Sequence, residues 1–133
     1  MSDDELEKIR QRKVEMLLKQ QSIPNEIIKL HDINDLNKLT KDFPEKIVII
    51  DLWAVWCGPC KIFAPIFEKL QKEYSNDFIF AKDNVDENPS IAQYFGVTAI
   101  PTTLFIKNGK LVRKFVGVMN YDTLKQILEK LKS

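Results

Sequence analysis

The sequence is poor in the residues that cross-link chains or bind metals. Its 133 residues include two cysteines, Cys57 and Cys60, and one histidine, His31. A secreted domain held together by disulfides carries more cysteines, which join distant parts of the chain. A bridge between Cys57 and Cys60 closes only a short loop, worth at most about 2 kcal/mol in the chain-entropy model. The pair is therefore better placed for exchange chemistry than for cross-linking a domain.

Charge of one sign, long apolar runs and a targeting segment are also missing. The net charge of +1 argues against a general nucleic-acid-binding protein, which needs an excess of Lys and Arg on one face. No apolar run is long enough to cross a bilayer. The first residues are acidic, without the basic stretch and apolar run of a signal peptide. We therefore expect a cytoplasmic globular protein with neither a nucleic-acid nor a membrane partner.

Hydrophobic periodicity predicts alternating strands and helices. A short strand is expected at residues 27–30, then a helix that ends at Pro44. Residues 46–53 are almost continuously apolar, which is typical of a central strand covered on both faces. Behind the cysteines, apolar side chains recur at helical intervals, with Pro65 inside that helix.

The second half predicts a strand at residues 78–85, a short helix near Pro89 and a β-hairpin around Asn108-Gly109. A final amphipathic helix carries its apolar residues at i, i+3, i+4 and i+7. The order βαβαβα, followed by a hairpin and a helix, predicts an α/β domain with a central sheet between helices.

Residues 1–24 are predicted to form an N-terminal helical extension, and residues 25–133 a single domain. Residues 3–21 are rich in charge and contain neither Gly nor Pro, which favours a helix, and Pro24 lies beyond its end. Two alternatives stay open for the extension. It is a solvated helix, or it docks on a reductase or on a second copy through Leu6, Ile9, Met16 and Leu17.

The cysteines lie in the string Trp56-Cys57-Gly58-Pro59-Cys60-Lys61. Residues 51–61 resemble the active-site segment of the thioredoxin family almost residue for residue. The resemblance extends over residues 27–132, and further matches are found at Pro65, Lys82, Asp86, Ile100-Pro101-Thr102, Asn108-Gly109 and Gly117. One position departs from the pattern: Ala99 stands where several bacterial thioredoxins have glycine. The resemblance implies the thioredoxin fold, with a mixed sheet flanked by helices.

The resemblance also implies a thiol–disulfide oxidoreductase that works without a cofactor or metal in cell redox homeostasis. The expected activity is that of a general protein-disulfide reductase, in which Cys57 and Cys60 alternate between dithiol and disulfide. Its expected partners are disulfide-containing client proteins and thioredoxin reductase, or an equivalent electron donor.

Four residues are expected to carry the reaction. A helix N-terminus favours the thiolate of Cys57, which makes it the attacking thiol. Cys60 lies one helical turn deeper, is expected to be less exposed, and resolves the mixed disulfide. From the resemblance, Asp51 is the candidate base for Cys60, with Lys82 beside it. The alternative is a buried Asp51 simply paired with Lys82.

The expected substrate-binding residues are Trp56, Gly58, Pro59, Ala99, Ile100 and Pro101. Pro59, where oxidases and isomerases more often have His, favours a reducing protein. The resemblance implies a cis peptide bond before Pro101, beside which an exposed backbone at residues 99–100 can pair with an extended client segment. Trp56 is expected at the client-facing rim, and Trp53 as support for the loop.

Two other interpretations compete with this one. The C-x-x-C spacing also suits zinc, but structural zinc takes four ligands, and the chain offers two cysteines and one histidine. The second is a redox-inert module that uses the same fold to bind a dedicated partner. Loss of one cysteine would be the usual sign of such a module, and both are present.

Overall fold

The computed structural model describes residues 5–6 and 23–132. The elements in residues 23–132 are β1 (Ile28–Lys29), α1 (Ile33–Asp42), β2 (Ile47–Trp53), α2 (Gly58–Tyr74), β3 (Ile79–Asn84), α3 (Ser90–Tyr94), β4 (Thr102–Lys107), β5 (Lys110–Val116) and α4 (Tyr121–Leu131). This order confirms the predicted succession. The predicted N-terminal helix lies outside the described residues except for Glu5 and Leu6, and the domain boundary after residue 24 stays a prediction. No helix in the described part of the chain has the length and apolar character needed to cross a bilayer.

The strands form one mixed sheet in the order β1-β3-β2-β4-β5. β3 runs parallel to both β1 and β2, whereas β4 is antiparallel to both β2 and β5. β2 therefore has a strand on each side and packed helices on each face. Such a strand must be apolar almost throughout, which explains its sequence.

Alternate residues of β2 point into two separate cores. Ile47 and Ile49 pack against α2 and α4, in a cluster that also contains Phe63, Phe67 and Leu128. Val48, Ile50 and Leu52 point to the opposite face and pack against α1 and α3. Their cluster also contains Leu30, Leu36, Ile79, Ile91 and Leu104. This alternation places the side chain of Asp51, two positions after Ile49, on the side of the sheet that faces α2.

A side chain accepts a backbone N–H in the first turn of α1, α2 and α4, whereas Pro89 before α3 makes no such bond. The carboxylate of Asp32 accepts the backbone N–H of Asp35 at 2.8 Å and so caps α1. α2 begins directly after Cys57, which occupies the capping position. The end of the central strand and the start of this long helix thus meet at Cys57.

The turn between β4 and β5 has the expected backbone. Asn108 has φ of 51° and Gly109 has φ of 78°, and positive φ at both central residues is what a two-residue hairpin requires. Beyond β5, Gly117 has φ of 97°, and its N–H donates to the carbonyl of Pro101 at 2.8 Å. The hairpin is thereby joined to the loop that precedes β4.

Candidate active site

Cys57 and Cys60 are joined by a disulfide, with their Cα atoms 5.3 Å apart. Pro59, between them, fits the first turn of α2, where no backbone N–H is needed. The cysteines are 4% and 3% exposed, so the expected difference in their accessibility is not found in this disulfide form. What distinguishes them is their surroundings.

Cys57 lies where a thiolate is stabilised. Its Sγ atom accepts the backbone N–H of Cys60 at 3.2 Å, across the first turn of α2. The unpaired N–H groups and the dipole of a helix N-terminus favour negative charge at this point. After reduction, the same N–H is placed to donate to the sulfur of Cys57.

Cys60 borders a cavity of about 190 Å³ that also reaches Asp51 and Lys82. Asp51 is 4% exposed. Burial raises the pKa of its carboxyl group to about 7, although the charge of Lys82 acts in the opposite direction. A buried carboxyl group with a raised pKa thus borders the same small cavity as Cys60.

Lys82 does not neutralise Asp51 directly. The two residues are paired across β2 and β3, yet salt bridges in the described residues join only His31 to Asp35 and Lys125 to Glu73. The Lys82 ammonium lies instead 5.7 Å from the centre of the Trp53 ring. A simple structural ion pair between Asp51 and Lys82, the alternative interpretation, is not what the structure shows.

Trp56 is the most exposed large apolar side chain near the disulfide, at 70%. Its indole N–H donates to the Asp86 carboxylate at 2.6 Å, and the backbone N–H of Asp86 in turn donates to Asn84 Oδ1 at 3.1 Å. The sequence marked Asp86 only as a matching position. The structure shows that it holds the exposed tryptophan beside the disulfide.

A groove of about 250 Å³ runs from Trp56 to the turn before β4, where it is lined by Val97, Thr98, Ala99 and Ile100. The peptide bond between Ile100 and Pro101 is cis, as expected. The carbonyl of Ala99 accepts the hydroxyl of Thr102 at 2.6 Å. Gly58 and Pro59, between the two cysteines, are exposed, and Ile100 packs against the buried cluster that contains both cysteines.

Among the buried polar residues that sequence reasoning missed, Thr103 and Asp83 lie on the strands next to β2. Thr103 lies on β4 directly opposite Asp51. Asp83, 1% exposed, lies on the other face of the sheet, where burial raises its pKa to about 7, although the charge of His31 acts in the opposite direction. The period-two pattern with Ile79 and Ala81 could have identified Asp83 as buried. Nothing local could have placed Thr103 beside Asp51.

The described residues contain no group of three or more His, Cys, Asp or Glu side chains arranged to hold a metal ion. The His31 Nδ1 atom lies 3.2 Å from the Asp35 carboxylate. Asp35 belongs to α1, whereas the cysteines lie at the start of α2. A zinc ion on Cys57 and Cys60 would need further ligands, and no cluster of the described residues supplies them.

A family model described as Thioredoxin matches residues 26–130, most of the chain. The chain belongs to the thioredoxin family. A thioredoxin of Chlorobaculum thiosulfatiphilum is 49% identical over 75 residues, which are 56% of this chain and 69% of that protein. A thioredoxin of Buchnera aphidicola is 39% identical over 105 residues, 79% of this chain and 95% of that protein.

Solved thioredoxin structures show the same fold. The Fasciola hepatica thioredoxin superimposes with a TM-score of 0.73 at 38% identity, covering 78% of this chain and 98% of that one. The N21Q mutant thioredoxin of Halobacterium salinarum gives 0.75 at 31% identity, covering 84% and 96%. The predicted thioredoxin fold and thiol–disulfide oxidoreductase function are thereby confirmed.

Proposed function

We propose that this thioredoxin-family protein reduces disulfides of many client proteins, with Cys57 as the nucleophile and Cys60 as the resolving thiol. The observation that carries the assignment is the asymmetry around the disulfide. Cys57 accepts a backbone N–H at the start of α2, whereas Cys60 borders the cavity of Asp51. One thiol is placed to be a thiolate, and the other to give up its proton when required.

The reaction consists of two exchanges. The Cys57 thiolate attacks one sulfur of a client disulfide, so that a mixed disulfide forms and the other client sulfur leaves as a thiolate, which takes up a proton. Cys60 then loses its proton, and its thiolate attacks Cys57 Sγ. The Cys57–Cys60 disulfide forms, the second client thiolate leaves, and two electrons have passed to the client.

Asp51 is proposed as the group that takes the proton of Cys60. A general base works best when its pKa lies near the working pH, and burial raises that of Asp51 to about 7. Lys82 lines the same cavity and is proposed to support the ionised form by its charge. The cavity of about 190 Å³ that both residues line leaves room for a water molecule between thiol and carboxyl group.

Clients are proposed to bind across Trp56, Gly58 and Pro59 and to pair with the turn before β4. Because the Ala99 carbonyl already accepts a hydrogen bond from Thr102, we assign the backbone pairing mainly to Ile100. Pairing through backbone groups accepts many sequences, which suits a reductase with many clients. The adjacent groove supplies apolar contact.

The electron donor is proposed to be thioredoxin reductase or an equivalent protein, and the compartment a reducing one such as the cytoplasm. Curated relatives include a chloroplastic thioredoxin of spinach, so the family works in more than one compartment. Rapid acid quenching of cells and alkylation of free thiols measures the redox state directly. A largely dithiol pool is expected, and a permanently oxidised pool would contradict the proposal.

The direct test compares the pre-reduced protein with its Cys57→Ser and Cys60→Ser variants, using insulin as the model client. The wild type is expected to reduce insulin, Cys57→Ser to be inactive, and Cys60→Ser to accumulate a mixed disulfide visible by mass spectrometry. A folded but inactive wild type would instead favour the binding-module interpretation. A mixed disulfide on Cys60 in the Cys57→Ser variant alone would reverse the two roles.

A further inference from the structure

Thr103 on β4 lies directly opposite Asp51 on β2. In the antiparallel pairing of these strands, Ile49 is opposite Phe105 and Asp51 opposite Thr103. Ile49 and Phe105 both belong to the core that contains α2 and α4. Because side chains alternate between the faces of a strand, Asp51 and Thr103 point to that same side. They are 4% and 0% exposed, so a carboxyl group and a hydroxyl group lie side by side away from the surface.

Each of these groups has an unused hydrogen-bonding atom. Asp51 Oδ1 and Thr103 Oγ1 are buried and have no hydrogen-bond partner in the described part of the chain. Such atoms are rare in folded proteins because each loses its hydration without replacement. Directly opposed residues of an antiparallel pair hold their Cβ atoms about 4.5–5.5 Å apart. At this separation of the Cβ atoms, a carboxylate oxygen and a hydroxyl group are able to reach hydrogen-bond distance.

We propose that Thr103 is a positioning residue for the resolution step, whose hydroxyl donates a hydrogen bond to the ionised Asp51 and so sets the pH at which Asp51 accepts the proton of Cys60. This rests on the proposed role of Asp51 as the base. A hydroxyl group suits the task because it donates to a carboxylate and also accepts from the protonated acid. The charge-assisted bond to the carboxylate is the stronger of the two, so the hydroxyl favours the ionised form.

The remaining polar groups around Asp51 come from β2 itself and from other elements. On β2, Trp53 lines the same cavity, and its indole N–H is buried without a hydrogen-bond partner in the described residues. Cys60 and Lys61 of α2 and Lys82 of β3 line the cavity next to it, and the charge of Lys82 favours its ionised form. β4 contributes Thr103 at the paired position. A hydrogen bond to the ionised form lowers the pKa of a carboxyl group. Removal of the hydroxyl is therefore expected to raise the pKa of Asp51.

The experiment uses the full chain with Thr103→Val, which keeps the shape of the side chain and removes the hydroxyl. Thr103→Ser restores the hydroxyl, and Thr103→Ala provides a second variant without it in case valine disturbs folding. Thr40→Val is the matched control, because Thr40 is 5% exposed and its hydroxyl donates to Asn37 within α1. Carbon-13 NMR of the Asp51 carboxyl carbon gives its titration midpoint. Single-turnover oxidation by insulin gives the pH profile of resolution.

Thr103→Val and Thr103→Ala are expected to raise the titration midpoint of Asp51 by about one to two pH units. The pH profile of the resolution rate is expected to move to higher pH by the same amount. Thr103→Ser and Thr40→Val are expected to titrate like the wild type. An unchanged midpoint in both hydroxyl-free variants overturns the inference. Asp51→Asn separates this from the proposed function: if that variant leaves the pH profile of resolution unchanged, Asp51 is not the base, whatever Thr103 does.

Discussion

Asp51 is expected to weaken the fold at neutral and alkaline pH, and Asp51→Asn to remove that effect. The carboxyl group is 4% exposed, and burial raises its pKa from 3.8 to about 7. In the unfolded chain it ionises at its ordinary pKa. The side chain of Asn has the shape of the protonated acid but cannot ionise, so it isolates the contribution of the charge.

The sign follows from proton binding. Between pH 4 and 7 the folded protein keeps the Asp51 proton and the unfolded chain loses it, so the free energy of unfolding falls as the pH rises. A difference of roughly three pKa units at 1.36 kcal/mol each amounts to about 4 kcal/mol. Asp51→Asn should therefore match the wild type below pH 4 and exceed it by up to about 4 kcal/mol above pH 7.

Urea denaturation of the oxidised protein from pH 3.5 to 8.5 measures this difference. The free energy of unfolding of a small protein falls by about 1–3 kcal/mol per molar urea. At pH 8 the urea concentration at the unfolding midpoint should therefore be more than about 1 M higher for Asp51→Asn than for the wild type. The exposed Asp42 supplies the control, and Asp42→Asn should follow the wild type. Equal dependence on pH in the wild type and in Asp51→Asn would show that Asp51 ionises as easily in the fold as outside it.

Three further outcomes follow from single residues. Burial also raises the pKa of Asp83 to about 7. Asp83→Asn should therefore be more stable than the wild type above pH 7 in urea denaturation, with an unchanged rate of insulin reduction. A gain in stability confined to low pH would contradict this. Trp56→Phe keeps an aromatic ring but loses the hydrogen bond to Asp86. Steady-state kinetics with insulin should therefore show a KM raised by about two- to tenfold at a nearly constant kcat. A loss confined to kcat would count against a client-binding role of Trp56. Phe67 is 1% exposed, and its ring centre lies 5.4 Å from that of Phe80. Phe67→Ala is expected to lower the free energy of unfolding by about 3–5 kcal/mol in urea denaturation. A loss below about 1 kcal/mol would mean that this core repacks freely.

Local chemistry made much of the fold predictable. Asn108-Gly109 tolerates positive φ at both positions, so the hairpin follows from two adjacent residues. The almost unbroken apolar run of β2 leaves a fully covered central strand as its best explanation. Helix-capping and helix-starting residues, such as Pro59 in the first turn of α2, depend on neighbours within a few positions. These features need no knowledge of distant parts of the chain.

The chemistry of the cysteines was also predicted, because residues 51–61 resemble the thioredoxin active-site segment and the pair lies at a strand-to-helix junction. The sequence by itself therefore determined the reacting atoms and the order of the elements. The tertiary structure decided what surrounds those atoms. Asp86 reaches Trp56 across 30 residues of chain, and Thr103 meets Asp51 through the register of two strands that no hairpin connects. The packing of the two cores on opposite faces of the sheet sets that register, so it cannot be predicted from any local sequence pattern.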